Sequence, residues 1–403
     1  MTLEPPTISS ARPLRVAILG TRGIPNRYGG FEQFAEYLAL GLQVRGHEVS
    51  VYLPHTHPYT EPTFRGVTLH RVFCPEARLG AAAHFLYDYL CLRDAVRRGC
   101  DIALECGYGT SALSLVFQPL RNTRVITNMD GLEWNRSKWS PFVQRLTRRF
   151  EAMAVRHSDA LVADNVGIQA YLQATYGASS HYIPYGAEVI EAPDPTHLEP
   201  YGVEPLAFHL LIARLEPENH IEMILEGHQA SGSTRPFLVV GHHETPYGRH
   251  LQARFGDDPT IRFVGGIYQK PVLDALRRYA YLYFHGHSVG GTNPSLLEAM
   301  ACGALIVAHD NAFNRAVIGD SAHYVASPAG IAQCIALPEA DLQRAAFTQA
   351  NQARIRAEFG WPAVVSQYED LFYASVATLA NCSSRSHREL SFSENPRRDS
   401  PND

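Results

Sequence analysis

Short apolar runs recur along this chain, each followed by a turn rich in glycine or polar residues. Behind each turn comes a stretch whose apolar positions repeat every three to four residues. The runs read as buried strands, and the 3.6-residue period reads as helices laid against them. In the first half the predicted strands are 15–20, 48–53, 67–73, 101–105, 124–129 and 160–164, with a last one ending at Ile183-Pro184-Tyr185-Gly186. The first helix carries Phe31, Phe34, Ala35, Leu38 and Leu42 on one face and stops at Gly46, a residue type that favours helix ends. Others are predicted over 81–97, 110–120, within 135–157 and over 166–176. A second series has strands at 206–213, 236–241, 261–264, 281–284 and 304–308, with helices between. Strand–helix alternation of this kind specifies an α/β fold with parallel sheets covered by helices on both faces.

The 403 residues exceed what one core holds, and 45% of them are hydrophobic, enough for two. The expected division is a flexible leader over 1–13, a Rossmann-like domain over 14–187 and a proline-rich linker over 188–205. A second Rossmann-like domain over 206–362, an amphipathic helix over 363–380 and a disordered tail over 381–403 complete it. A net charge of -5 argues against a general nucleic-acid binder, so no nucleic acid is expected as a partner. The seven cysteines include no CxxC pair, and the simplest reading is buried thiols in a reducing cytoplasm. No run of 18 apolar residues is present, and the expected location is cytoplasmic.

The chemistry concentrates in 285–303, HGHSVGGTNPSLLEAMACG. Asn293 can cap a helix, Pro294 suits its first position and Gly303 suits its end, giving strand, glycine loop, helix, strand. Such a loop turns backbone N–H groups and the positive end of a helix dipole towards a phosphate or a sugar. Glu298 lies one turn in and leans back to the same mouth, where it could accept from sugar hydroxyls. The site of a nucleotide sugar and an ordinary satisfied turn remain equal readings of these residues alone. The loop after the first strand, TRGIPNRYGG, faces the carboxyl edge of its sheet, where open α/β sheets bind ligands. Asp130 ends another strand and reads either as a turn-capping aspartate or as a group in the cleft. Arg214 ends the first strand of the second series, where a guanidinium can clamp a pyrophosphate.

The stretch HSVGGTNPSLLEAM resembles the signature of retaining glycosyltransferases of family 4, and more closely their rhamnosyltransferase-like branch, as do DGLEWNRSKW and RLEPEN. Glu298 matches the second glutamate of that signature, whereas the first falls on Gly290. The lysine usual five residues after the arginine is Asn219 here, and the histidine usual at position 130 is Asp130. The resemblance implies a GT-B fold, two Rossmann-like domains facing each other across a cleft. It implies catalytic roles for Arg214, Asp130 and Glu298, with the donor held by Asn219, Gly265, Ile267, His287, Gly290, Gly291, Thr292 and Asn293. Tyr28, Gly29, Gly30, Glu133 and Trp134 fall on the acceptor side.

The implied reaction moves a sugar, with rhamnose from a dTDP donor the leading candidate, to a saccharide or lipid-linked saccharide of the cell surface, with retention. A sugar-nucleotide epimerase or phosphorylase, or a non-catalytic saccharide-binding relative, are the alternatives. No cofactor and no metal are expected: His242 and His243 point apart, and Asp257-Asp258 reads as a turn. Over 136–150, RSKWSPFVQRLTRRF interleaves arginines with Trp139, Phe142 and Phe150. This reads as a solvated helix with a buried aromatic stripe or as peripheral contact with the inner face of a membrane.

Overall fold

The computed structural model describes residues 12–27, 29–136 and 139–390, with the backbone alone over 379–390. Tyr28, Lys138, most of the expected leader and residues 391–403 of the expected tail lie outside the described residues. The first lobe is an eight-stranded sheet of β1 (Arg15–Leu19), β2 (Glu48–Pro54), β3 (Thr63–Phe64), β4 (Val67–Val72), β5 (Ile102–Cys106), β6 (Arg124–Asn128), β7 (Ala160–Ala163) and β8 (His181–Tyr182). Its order is β3-β4-β2-β1-β5-β6-β7-β8, parallel except for the β3–β4 pair. The second lobe is a six-stranded parallel sheet of β9 (His209–Ile212), β10 (Phe237–Val240), β11 (Ile261–Gly265), β12 (Leu282–His285), β13 (Ile306–His309) and β14 (His323–Val325). Its order is β11-β10-β9-β12-β13-β14.

Both orders reverse direction once, between β1 and β5 in the first lobe and between β9 and β12 in the second. At such a switch point the loops leaving the two strands diverge to opposite faces and open a crevice at the carboxyl ends. The loops that open it are 20–27 and 107–111 on one side, and 213–220 and 286–293 on the other. Three of the four, all but 107–111, stand out in the sequence as candidate ligand loops by their glycine, arginine or turn residues.

Several boundaries differ from the sequence expectation. The helix expected over 110–120 is Ala112–Phe117, because Pro119 lacks an N–H and forces Gln118 to an extended ψ of 130°. The unpredicted hairpin β3–β4 turns on Arg65 and Gly66, with φ of 50° and 89°, the pair of positive φ values that tight hairpins favour. The linker contains a 3-10 helix, Pro195–Tyr201. The last helix runs Trp361–Leu390, so residues 381–390, expected in the tail, continue it. The six described cysteines are buried and unpaired.

That last helix crosses back to the first lobe and packs along the helix Gly30–Val44. Trp361 stacks on Tyr37 with ring centroids 4.5 Å apart. A Cβ at Gly41 would lie 2.6 Å from Val365, so only glycine lets the two helices approach this closely. Glu369 takes Arg45 and His47 as partners at 2.5 and 2.8 Å, and Asn128 Nδ2 donates to Tyr368 Oη at 3.1 Å. One apolar cluster therefore runs from Leu14 and Phe34 through Tyr283 and Leu297 to Phe372.

Candidate active site in the interlobe cleft

The loop after β12 forms as its residues dictate. Asn293 Oδ1 accepts from Ser295 N at 2.9 Å, Pro294 opens the helix Pro294–Ala301, and Gly303 closes it with φ +67°. Gly290 has φ +121°, a conformation that side chains rarely adopt. This loop and helix meet the first lobe directly. A Cβ at Gly131 would lie 2.3 Å from Gly290 Cα, one at Gly291 would lie 1.9 Å from Asp164 Oδ1, and one at Gly30 would lie 3.1 Å from Pro294.

Here the expectation that the amides of Gly291–Asn293 face a ligand is corrected at one position. Thr292 N donates to Asp164 Oδ2 at 2.9 Å, and Thr292 Oγ1 donates to the Asp164 carbonyl. Asp164 follows β7 and is buried, and its Oδ1 has no hydrogen-bond partner among the described residues. Burial, and then the neighbouring Asp130, hold this carboxyl well above the ordinary range.

Arg214 follows β9 and is exposed, and its guanidinium enters no ion pair or side-chain hydrogen bond among the described residues. Asn219 was expected beside it on the ligand. Instead Asn219 is buried and its Nδ2 donates to the Arg214 carbonyl at 2.8 Å, so its amide ties the turn from behind. Glu298 is likewise engaged. Its Oε2 pairs with the buried Arg277, and its Oε1 accepts from Gln33 of the first lobe at 2.7 Å. The space beside it, between Gln33, Tyr37 and Lys270, measures about 10 Å³, room for a single water.

Comparison with known proteins then bears on what this cleft is. Residues 209–337 match the family described as glycosyl transferases group 1, and residues 14–188 match a domain of unknown function, DUF1972. The chain has a GT-B fold, and its second lobe carries the match to the glycosyl transferases group 1 family. No curated protein matches it at the level of sequence. Among solved structures it is similar to sucrose-phosphate synthase from Thermosynechococcus elongatus, at 16% identity and TM-score 0.76, over 90% of this chain and 99% of that one. It is similar to Anabaena HepE in complex with UDP, at 15% identity and TM-score 0.68, over 90% and 100%. It is also similar to α,α-trehalose 6-phosphate synthase from Burkholderia multivorans, at 16% and 0.65, over 96% and 100%.

The first lobe brings Asp130 to the same cleft, after β6, with φ 51°. Tyr185 Oη lies 3.5 Å from its carboxylate. Burial and then repulsion from Glu133 lift the Asp130 carboxyl to about 6, against the pull of Arg136 and Arg214. Glu133 faces Arg136, whose Nε lies 2.8 Å from both of its oxygens. His287 is held neutral, at about 3, by burial and then by Arg214, Arg136 and His220. Its ring stacks on His285 at 4.3 Å, and that of His220 on His309 at 4.0 Å. Trp134 lies beneath the guanidinium of Arg148 at 4.6 Å and beside Tyr171, with ring centroids 6.3 Å apart.

Gly265 ends β11 with φ +80°, and the Ile267 side chain packs on the core cluster while Tyr268 stands 59% exposed beside His242. Gly29 lies against Glu32, whose Oε2 is 3.3 Å from where a Cβ would sit. Sequence reasoning missed Asp164, Arg277 and Gln33, and read Arg136 as part of an outward basic segment. Among the described residues one set could offer three metal ligands, Cys74, Glu76 and His84. Glu76 is already paired with Arg22 at 2.8 Å and burial pushes the Cys74 thiol up, which disfavours the thiolate a metal needs.

Proposed function

We propose that this enzyme transfers a sugar from a nucleotide diphosphate donor to a saccharide or lipid-linked saccharide, with retention, without a metal, in cell-surface polysaccharide synthesis. The observation that carries this reading is the uncommitted guanidinium of Arg214 at the switch point of the second sheet, close enough to Asp130 and His287 to act on both. A guanidinium and backbone donors that close on a leaving diphosphate stabilise its charge, each by roughly 3 kcal/mol. The similarity to HepE, solved with UDP and with UDP-glucose, supports a nucleotide-sugar donor. Rhamnose from dTDP rests on the sequence resemblance alone.

The bond from sugar to diphosphate loosens first, Arg214 meets the charge developing on the phosphate oxygens, and the acceptor hydroxyl attacks from the same face. Its proton passes to the departing phosphate oxygen. Asp130, raised towards neutrality, can accept a hydrogen bond from the acceptor or the donor sugar. Glu298, held by Arg277 and Gln33, presents its carboxylate to the ribose once the lobes part enough to admit it. An incoming phosphate displaces Asp164 from Thr292 N. A panel of dTDP-, UDP- and GDP-sugars, read by thermal shift and by hydrolysis, tests the proposal. One class should raise the melting temperature and turn over, and stabilisation by none of them would defeat it.

The membrane contact also belongs to this reading, in altered form. The segment 136–150 does not act as one face, because Arg136 turns into the cleft and Phe150 is buried. What remains outward is broader. Phe142 is 73% and Phe117 69% exposed, on helices that pack together, and Leu86 on the next helix is 41% exposed. Arg145, Arg148 and Arg149 are exposed around them. Between 107 and 157 the acids are Asp130, Glu133 and Glu151, and none lies on that face: two belong to the cleft and Glu151 is buried under Tyr108, Tyr171 and Tyr176. Arginines near an anionic leaflet contribute about 1 kcal/mol each. The enzyme should sediment with vesicles containing phosphatidylglycerol, less so at high salt or as Phe142→Glu, and not with phosphatidylcholine alone. Equal binding to both vesicle types would remove the charge argument.

A further inference from the structure

A cavity of about 180 Å³ opens at the carboxyl ends of β1 and β2, lined by Arg22, Arg27, Glu32, Thr56, His57 and Glu76. That is about six waters' share of liquid volume, enough for a sugar ring. The loop forming its floor is pinned by the first helix. Glu32 Oε1 accepts from Arg22 N at 2.9 Å, and Glu36 Oε2 accepts from Asn26 N at 2.7 Å. The floor cannot rise, because a Cβ at Gly23 would lie 2.3 Å from that of Leu53. The cavity adjoins the cleft: Glu32 touches Gly29, and Gly30 meets Pro294 of the donor-side helix.

Its two arginines and two glutamates sum to zero, but they do not pair one to one. Arg22 is paired with Glu76, and the buried Glu32 is held by the loop amide. His57 is kept on the neutral side by burial and by Arg71 and Arg27. Arg27 makes no ion pair among the described residues. A pocket built to take a neutral saccharide needs carboxylates and hydroxyls, which Glu32, Glu76 and Thr56 supply. The Arg27 guanidinium at the rim, with neither glutamate paired to it, is placed to receive an anion on the ligand.

We infer that this cavity is the subsite for an acidic group on the acceptor, a sugar carboxylate or a phosphate, received by Arg27 while the ring lies over Thr56 and Glu32. The inference rests on the reading of the protein as a transferase with its acceptor on the first lobe. It adds the charge of that acceptor, which neither family match assigns. A uronate within a saccharide and a phosphate on a lipid-linked sugar share this chemistry, and the test separates them.

Binding of methyl glucuronide, glucose 1-phosphate and methyl glucoside is measured by calorimetry on the full chain, with and without the nucleoside diphosphate that binds best in the donor panel. One of the two acidic probes should bind at least about tenfold more tightly than the glucoside, a gap expected of one charge-assisted contact. Arg27→Ala should erase that gap, Arg27→Lys should keep part of it, and nucleotide affinity should stay unchanged in both. Preference for the glucuronide assigns a uronate, and preference for the phosphate assigns a phosphorylated acceptor. Equal binding of all three probes, or a gap that survives Arg27→Ala, overturns the inference. Failure of every nucleotide to bind would instead count against the donor reading, since the Arg27 comparison is read without nucleotide as well.

Discussion

Replacing Arg214 by alanine should lower turnover by about a hundredfold to a thousandfold and leave the melting temperature where it was. The first half of that expectation follows from chemistry. Removing one preorganised donor to developing negative charge raises a barrier by about 3–4 kcal/mol. The second half follows from the structure, because the Arg214 side chain is exposed and bonded to nothing among the described residues. Surface changes without partners alter stability by no more than about 0.5 kcal/mol. Arg214→Lys should recover only part of the rate, since an ammonium cannot make the paired contact of a planar fork. Steady-state kinetics and a circular-dichroism melt read both halves. A variant that turns over like the parent would end the assignment of Arg214, whatever its stability. Glu298 is a poorer probe. Its removal strands the buried Arg277, and breaking a buried pair costs about 3–5 kcal/mol, so lost activity there would not separate chemistry from folding.

Gly291→Ala should lower kcat by about tenfold to a hundredfold through displacement of the lobes, the scale expected when reacting groups move by about 1 Å. No positive φ is involved at Gly291, so the backbone itself tolerates alanine. The methyl group, however, would stand 1.9 Å from Asp164 Oδ1, and the loop has to retreat. Gly131→Ala meets Gly290 from the other side at 2.3 Å and should give the same phenotype. Gly290→Ala works the other way: the space is open, and the strain comes from φ +121°. Small-angle scattering should show the first two variants more open than the parent. Parental kinetics together with a parental scattering curve in Gly291→Ala would mean that the Thr292–Asp164 contact has no part in the working enzyme.

The division between what was legible and what was not follows range. Strand, loop, Asn293 cap, Pro294 and Gly303 are local features, and each sits where its residue type predicts. Arg214 at a strand end was legible for the same reason. Asn219 was misplaced because residue type gives a side chain's chemistry and not its direction, and a carbonyl five residues back was nearer than the cleft. Asp164 and Thr292 are 128 positions apart, and Gln33 and Glu298 are 265 apart. No periodicity reports such pairs, which exist only once two separately folded sheets dock. Arg136 stands in a run of basic residues that looks outward as a pattern. Only the neighbouring Glu133 marks it as the one that turns in.

The closing helix has a further implication for anyone wishing to study the halves separately. It belongs by chain order to the second lobe, yet its partners Tyr37, Gly41, Arg45, His47 and Asn128 are all in the first. A fragment ending near Gly186 would therefore leave an oily stripe in water, and Arg45 and His47 without their carboxylate partner. Dissection by simple truncation yields two incomplete pieces. A permuted chain that carries 361–378 ahead of Leu14 would instead give the first lobe its missing side.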